Sequence, residues 1–172
     1  LCDGQGTEYR ARITELGKDI VKSEVVERRM RVRSGPDIML GQGLAKSDKM
    51  DWIVQKATEL GVASLVPLET ERTIVKVKDE EKRVTRWQKI CREAAMQSNR
   101  SDIPVVEGIR SFDDYLRTLN SEPGTLLIFP WEDATGPLKE VLRSHMDVKR
   151  VVILIGPEGG FSRNEADLAM SR

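Results

Sequence analysis

Short apolar runs alternate with two-faced segments along most of this chain, and the rhythm changes once. Residues 8–13 alternate at period two, Gly17-Lys18-Asp19 makes a turn, and residues 20–32 again favour strand. Two or three antiparallel strands of a small barrel are expected there. Ser34-Gly35-Pro36-Asp37 follows as a linker. Beyond it, Ile38-Met39-Leu40 predicts a strand, and the next glycines a turn. Ser47 is placed to cap a helix, with Asp48 and Asp51 in its first turn. Met50, Ile53, Val54, Ala57 and Leu60 fall on one face of that helix, and Gly61 stops it. Strands are predicted at 63–68, 105–106, 125–129 and 151–155, and helices at 82–98, 112–119 and 137–144. Such alternation predicts the α/β class, a mostly parallel sheet with helices on both faces.

The strand Val151-Val152-Ile153-Leu154-Ile155 is apolar throughout, as a strand covered on both faces requires. It runs straight into Gly156-Pro157-Glu158-Gly159-Gly160, after which Ser162 is placed to cap the helix beginning Arg163-Asn164-Glu165. Ligands of open α/β sheets sit at the carboxyl ends of the strands, so this loop is the candidate cofactor site. The loop is not GxGxxG, because the second glycine is out of place, and no Gly-Lys-Ser/Thr follows it as in a P-loop. Glu158 disfavours a polyphosphate. A ligand with a cationic centre, such as S-adenosylmethionine, suits it better.

Other strand ends carry candidates too. Phe129-Pro130-Trp131-Glu132 closes one strand; Trp131 is suited to stack on a base or to pack, and Glu132 to bind a ribose. Thr70-Glu71-Arg72-Thr73 closes another, and Lys46-Ser47-Asp48-Lys49 a third. Capping accounts for Ser47 and Asp48 but not for the two lysines. On the helix at 82–98, Val84, Trp87, Cys91, Ala94, Ala95 and Ser98 share the apolar side. Arg86, Lys89, Glu93 and Gln97 share the other, a stripe that Arg100 extends if the helix continues. Gln97, Ser98, Asn99 and Arg100 make a polar cluster suited to phosphate and base edges together.

Composition narrows the classes. Basic and acidic residues balance at 28 each, so global charge says nothing about nucleic acid; residues 69–100 hold nine basic against six acidic side chains, a modest positive patch. One histidine, His145, argues against a His-based metal site or hydrolase, and Cys2 and Cys91 form no CxxC, so no metal is expected. No run reaches the roughly 20 apolar residues that span a bilayer, and a cytoplasmic protein without membrane association is expected. The chain opens on Leu1 inside a strand pattern and closes inside a helical one, so it reads as part of something longer.

Several ordered blocks then carry a resemblance. Residues 46–52 (Lys-Ser-Asp-Lys-Met-Asp-Trp), 55–62, 70–73, 93–100 and 154–162 resemble, in that order, the bacterial 16S ribosomal RNA (uracil-N3) methyltransferases of the knotted SPOUT class. Met96 stands where that family commonly has Glu, and Thr73 where it has Ser. The resemblance implies a SPOUT α/β-knot over residues 35–172, preceded at 1–34 by part of a PUA-like RNA-binding barrel. A family block that helps close the knot and the cofactor pocket would follow Arg172. The implied reaction is S-adenosylmethionine-dependent methylation of uracil N3 in 16S rRNA or the small ribosomal subunit, by a homodimer. The expected cofactor contacts are Phe129, Pro130, Trp131, Leu154, Ile155, Gly156, Pro157, Glu158, Gly159 and Gly160. Lys46, Lys49, Arg72, Glu93, Gln97 and Arg100 are expected on RNA, with Arg72 and Arg100 placed to stabilise charge on the uracil oxygens. Two rivals stand beside this reading: a non-catalytic RNA-binding protein, and an enzyme of the same fold acting on another RNA position.

Overall fold

The computed structural model describes residues 1–30, 34–119, 123–134 and 136–171. Strands β1 (Thr7–Leu16) and β2 (Val21–Met30) form an antiparallel hairpin around the predicted turn. Much of its apolar side is exposed, including Val21, Val25, Val26 and Met30. The segment before it is tied to the main body, since Gly6 N donates to Ser101 O at 2.9 Å and Ile103 N to Gly4 O at 3.0 Å.

The body is built on β3 (Asp37–Gly43), β4 (Ser64–Glu69), β5 (Val105–Val106), β6 (Arg110–Ser111), β7 (Thr125–Ile128) and β8 (Arg150–Ile155). Every pairing in this sheet is parallel, in the order β5-β4-β3-β8-β7, with β6 also on β4. β8 lies between β3 and β7, which explains why its sequence is apolar from Val151 to Ile155.

Helices α1 (Ser47–Leu60) and α2 (Glu80–Gln97) cover one face, burying Met50, Val54, Trp87 and Cys91 with Leu65. Helices α3 (Phe112–Leu119) and α5 (Arg163–Met170) cover the other, where Phe112, Tyr115, Leu116 and Ala169 meet Val66, Val152 and Leu154. Helix α4 (Leu138–Ser144) buries none of its residues.

Three local expectations are corrected. Gly41-Gln42-Gly43 is not a turn but the end of β3. A Cβ on Gly41 would lie 2.6 Å from Leu154 Cδ2, and one on Gly43 2.5 Å from the Pro157 nitrogen. These glycines permit close approach between neighbouring segments. Lys46, not Ser47, stands at the α1 N-cap, and it makes no side-chain cap hydrogen bond. Leu60 is exposed, because at 3.6 residues per turn it falls on the flank of the stripe set by Met50 and Val54. The inward place goes to Thr58, whose hydroxyl donates to Val54 O at 2.8 Å and to Cys91 Sγ at 3.4 Å. Burial pushes the Cys91 thiol pKa up, the mark of a core residue.

Candidate active site

Because the sheet is parallel, the ends of β3, β4, β7 and β8 share one edge, and residues 156–160 leave β8 there. The first half of that loop is locked to the sheet. Pro157 packs against Gly43, and buried Gln42 donates Nε2 to Gly43 O at 2.9 Å and to Gly156 O at 3.2 Å. Gly160 N then donates to Pro157 O at 2.9 Å, with Gly160 at φ +67°, which glycine adopts without strain. Ile155, Glu158 and Gly159 stay exposed.

Cationic groups gather around this loop. The Lys46 N–H donates to Glu158 Oε1 at 3.2 Å, and the Lys49 ammonium lies 3.7 Å from the same oxygen. The Glu158 pKa is held below the usual carboxylate value, first by its own backbone N–H, then by that of Lys46, with the two lysine charges adding. From the turn that follows β4, Arg72 Nη1 donates to Gly159 O at 2.9 Å. The turn that presents Arg72 is braced by Thr73 N to Thr70 O and Thr70 N to Thr73 Oγ1, both 3.0 Å. Lys46, Lys49, Arg72 and the glycine loop, predicted as separate strand ends, are therefore one place.

Sequence reasoning missed Glu165. Only 3% exposed, it accepts from Ser162 N at 2.8 Å through one oxygen and from Glu71 N at 2.9 Å through the other. Ser162 Oγ in turn accepts from Glu165 N at 3.1 Å, completing a capping box at α5. The available signal was the Ser-x-x-Glu spacing, which fixes the first contact. The second needs the fold.

The β7 end lies alongside. β7 pairs with β8 only as far as Ile128↔Ile153, so Leu154 and Ile155 extend past their neighbour. Phe129 packs on Phe161 with centroids 4.7 Å apart and is stacked on Trp131 at 6.2 Å. Trp131 thus has a packing partner and lies against the core cluster that includes Leu154, while Pro130 is exposed.

On α2, Glu93 and Gln97 are exposed as expected, with Glu93 3.8 Å from Lys89. Arg100 is not on that stripe. The helix ends at Gln97, and Asn99 at φ +54° turns the chain. Arg100 consequently points inward at 9% exposure, donating to Thr58 O at 2.6 Å, Val62 O at 2.9 Å and the Asp102 carboxylate at 2.8 Å. It ties the ends of α1 and α2 together, so its expected place on RNA and at the uracil is corrected to a structural one.

A family model described as an RNA methyltransferase domain matches residues 33–172. The chain belongs to this family. Among curated relatives, ribosomal RNA small subunit methyltransferase E of Bacillus subtilis is 31% identical over 96% of this chain and 67% of its own length. Its namesake in Synechocystis is 30% identical over 100% of this chain and 56% of its own length. The chain therefore spans between about half and two thirds of these relatives. The crystal structure of the Neisseria gonorrhoeae methyltransferase E, bound to S-adenosyl methionine, superposes with a TM-score of 0.85 at 29% identity, covering 99% of this chain and 69% of that one. A putative methyltransferase from Legionella pneumophila, also in complex with that cofactor, gives 0.73 at 29% identity, with the same coverage of 99% and 69%. The mixed α/β architecture with a mostly parallel sheet agrees with these structures. Among the described residues no helix is long and apolar enough to cross a membrane, and no group of His, Cys, Asp and Glu is arranged to hold a metal.

Proposed function

We propose that this chain is the greater part of an S-adenosylmethionine-dependent methyltransferase acting on N3 of a uridine in 16S rRNA of the small ribosomal subunit. The observation that carries the proposal is the glycine loop fixed at the carboxyl edge of a parallel sheet, in a chain of the RNA methyltransferase family. The residues there suit the cofactor. Backbone groups of Leu154 and Ile155 lie beyond the last β7 partner, exposed Ile155 and half-buried Phe129 offer apolar surface, and ionised Glu158 favours a ligand bearing positive charge. When bound, S-adenosylmethionine supplies an electrophilic methyl group.

The chain's own residues have three tasks. The loop at 156–160, immobilised by Pro157 on Gly43 and by Gln42, holds the ligand in a fixed place; for a displacement that needs near-collinear atoms, such positioning supplies much of the rate. Uracil N3 must lose its proton before it can accept the methyl group, and the negative charge spreads to the flanking carbonyl oxygens. Arg72, held by Gly159 O with the rest of its guanidinium exposed, is placed to stabilise that charge. Lys46 and Lys49 fix Glu158 and add positive charge for RNA phosphates.

Three further elements belong to this reading. The hairpin β1–β2 is part of a PUA-like RNA-binding barrel, a view supported by its exposed valines, since a lone hairpin is marginally stable. The α/β body is a knotted SPOUT domain, working as a homodimer in the cytoplasm. Incubating the protein with labelled S-adenosylmethionine and small-subunit rRNA, then digesting the RNA, should yield label in 3-methyluridine. Label at another position would overturn the N3 assignment. RNA binding without any affinity for S-adenosylhomocysteine by calorimetry would instead favour a non-catalytic protein.

A further inference from the structure

Two adjoining clefts are lined by residues of α1, of α2 and of the segment leading into α2, and both share Asp51. One, of about 440 Å³, is lined by five cationic side chains (Lys76, Lys78, Lys82, Arg83 and Arg86) against two carboxylates, Asp51 and Asp79. Both carboxylates are engaged: Asp51 pairs with Arg86, and Asp79 accepts from Lys82 N at 3.0 Å as the cap of α2. Arg83 reaches Ser47 Oγ at 3.4 Å. Lys76, Lys78 and Lys82 make no ion pair among the described residues, so their charge is available to a ligand.

The second cleft, of about 570 Å³, shares Asp51 with the first and continues between the two helices past Trp52, Gln55, Glu93 and Gln97. Trp52 is 59% exposed, although an indole of this size normally supplies core or interface energy. Around it stand amides and carboxylates that accept from and donate to base edges. Lysines without ion pairs beside an exposed aromatic face, with the Gln55 and Gln97 amides and the Asp48, Asp51 and Glu93 carboxylates at its rim, give an arrangement that single-stranded nucleic acid occupies, with phosphates on the cations and a base on the ring. The first cleft also begins beside the lysines of the active edge, since Ser47 lies between Lys46 and Lys49.

From this we infer that the α1–α2 face is a track for the single-stranded RNA flanking the target uridine. Phosphates lie on Lys76, Lys78 and Lys82, and one base stacks on Trp52 with Gln55 and Gln97 at its edge. The inference rests on the RNA methyltransferase reading above and adds to it a surface outside the cofactor loop.

The test uses a single-stranded 16S rRNA fragment carrying the target uridine, with affinity measured across a salt series. Replacing Lys76, Lys78 and Lys82 together by Ala should lower the slope of log affinity against log salt by about 2, at roughly 0.7 per lost phosphate contact. Trp52→Ala should weaken binding about tenfold or more, as loss of one stacked base does, while Trp52→Phe should retain most of the affinity. S-adenosylhomocysteine affinity should be unchanged in all three. Equal RNA affinity and slope in wild type and variants overturn the track and leave the enzyme assignment standing. So does a Trp52→Ala protein that changes its sedimentation but not its RNA affinity, because the face would then contact a second copy. Failure of the wild type to bind both the fragment and S-adenosylhomocysteine overturns the functional reading itself.

Discussion

Removing the Glu165 carboxylate should uncouple the two loops of the active edge. Its two oxygens accept from Glu71 N at 2.9 Å and from Ser162 N at 2.8 Å, in a site that is 3% exposed. A hydrogen bond to a charged group contributes about 1.5–3 kcal/mol, and a buried donor left without a partner costs about as much. With partial compensation by water at the Glu71 side, Glu165→Ala should cost about 3 kcal/mol. For a chain of this length that corresponds to a fall of about 6–12 °C in Tm, at roughly 2–4 °C per kcal/mol. Glu165→Gln keeps one acceptor and sets its NH₂ against the other N–H, so it should recover less than half the loss. Glu71 adjoins Arg72, whose guanidinium rests on Gly159 O, so activity should fall further than stability alone explains. Thermal melts paired with methyl-transfer rates at a temperature where each variant is folded would separate the two effects. In an Arg72→Ala background, Glu165→Gln should cost little further kcat/KM. A Glu165→Ala protein melting within a degree of wild type, or activity losses that add in full, would refute the reasoning.

Arg100→Ala should destabilise the fold by about 3–5 kcal/mol, because it strips a buried charge pair and leaves the Thr58 and Val62 carbonyls without their donor; the salt dependence of RNA binding should not change, and a reduced slope in a variant of normal stability would return Arg100 to the RNA surface. The Tyr115 pKa is pushed up to about 12 by burial, with Glu107 adding, and its hydroxyl has no hydrogen-bond partner among the described residues. The folded state therefore disfavours the phenolate: this contribution is complete below pH 10 and is lost as pH rises from 10 towards 12. Tyr115→Phe should be near neutral at pH 7 and should flatten the decline of Tm above pH 10, and parallel declines for the two proteins would contradict it.

The positions of most strands along the chain were legible because strands covered on both faces carry unbroken apolar runs, as in residues 151–155, and because Ser162 and Gly61 mark helix ends. What was hidden depends on contacts between distant segments. Gly41 and Gly43 looked like a turn, since the Leu154 and Pro157 they accommodate lie at the far end of the chain. Arg100 looked like the next step of a helical stripe, and the left-handed turn at Asn99 breaks that count. Lys46 and Lys49 were visible as unexplained cations, yet their meeting with Glu158 required the β3–β8 pairing. The hairpin at the start was visible from alternation alone.

The same β3–β8 pairing has a bearing on how the molecule comes to be. Leu40 pairs with Ile153, from the other end of the chain, while β3, β4, β5, α1 and α2 are contiguous in sequence and share one apolar cluster. During synthesis that first cluster can collapse on its own, leaving the β8 side of β3 as an unsatisfied edge inside a nascent sheet. Such an edge invites pairing with the wrong strand, and the wait for its partner is long. Neither the Pro157 seat on Gly43 nor the Gln42 bridge to Gly156 exists until β8 arrives, so the reactive edge is the last part to be assembled. Amides of β4 should accordingly gain exchange protection before those of β8 in a pulsed refolding experiment, and a chain stalled before β8 should be a folded scaffold that cannot hold its ligand.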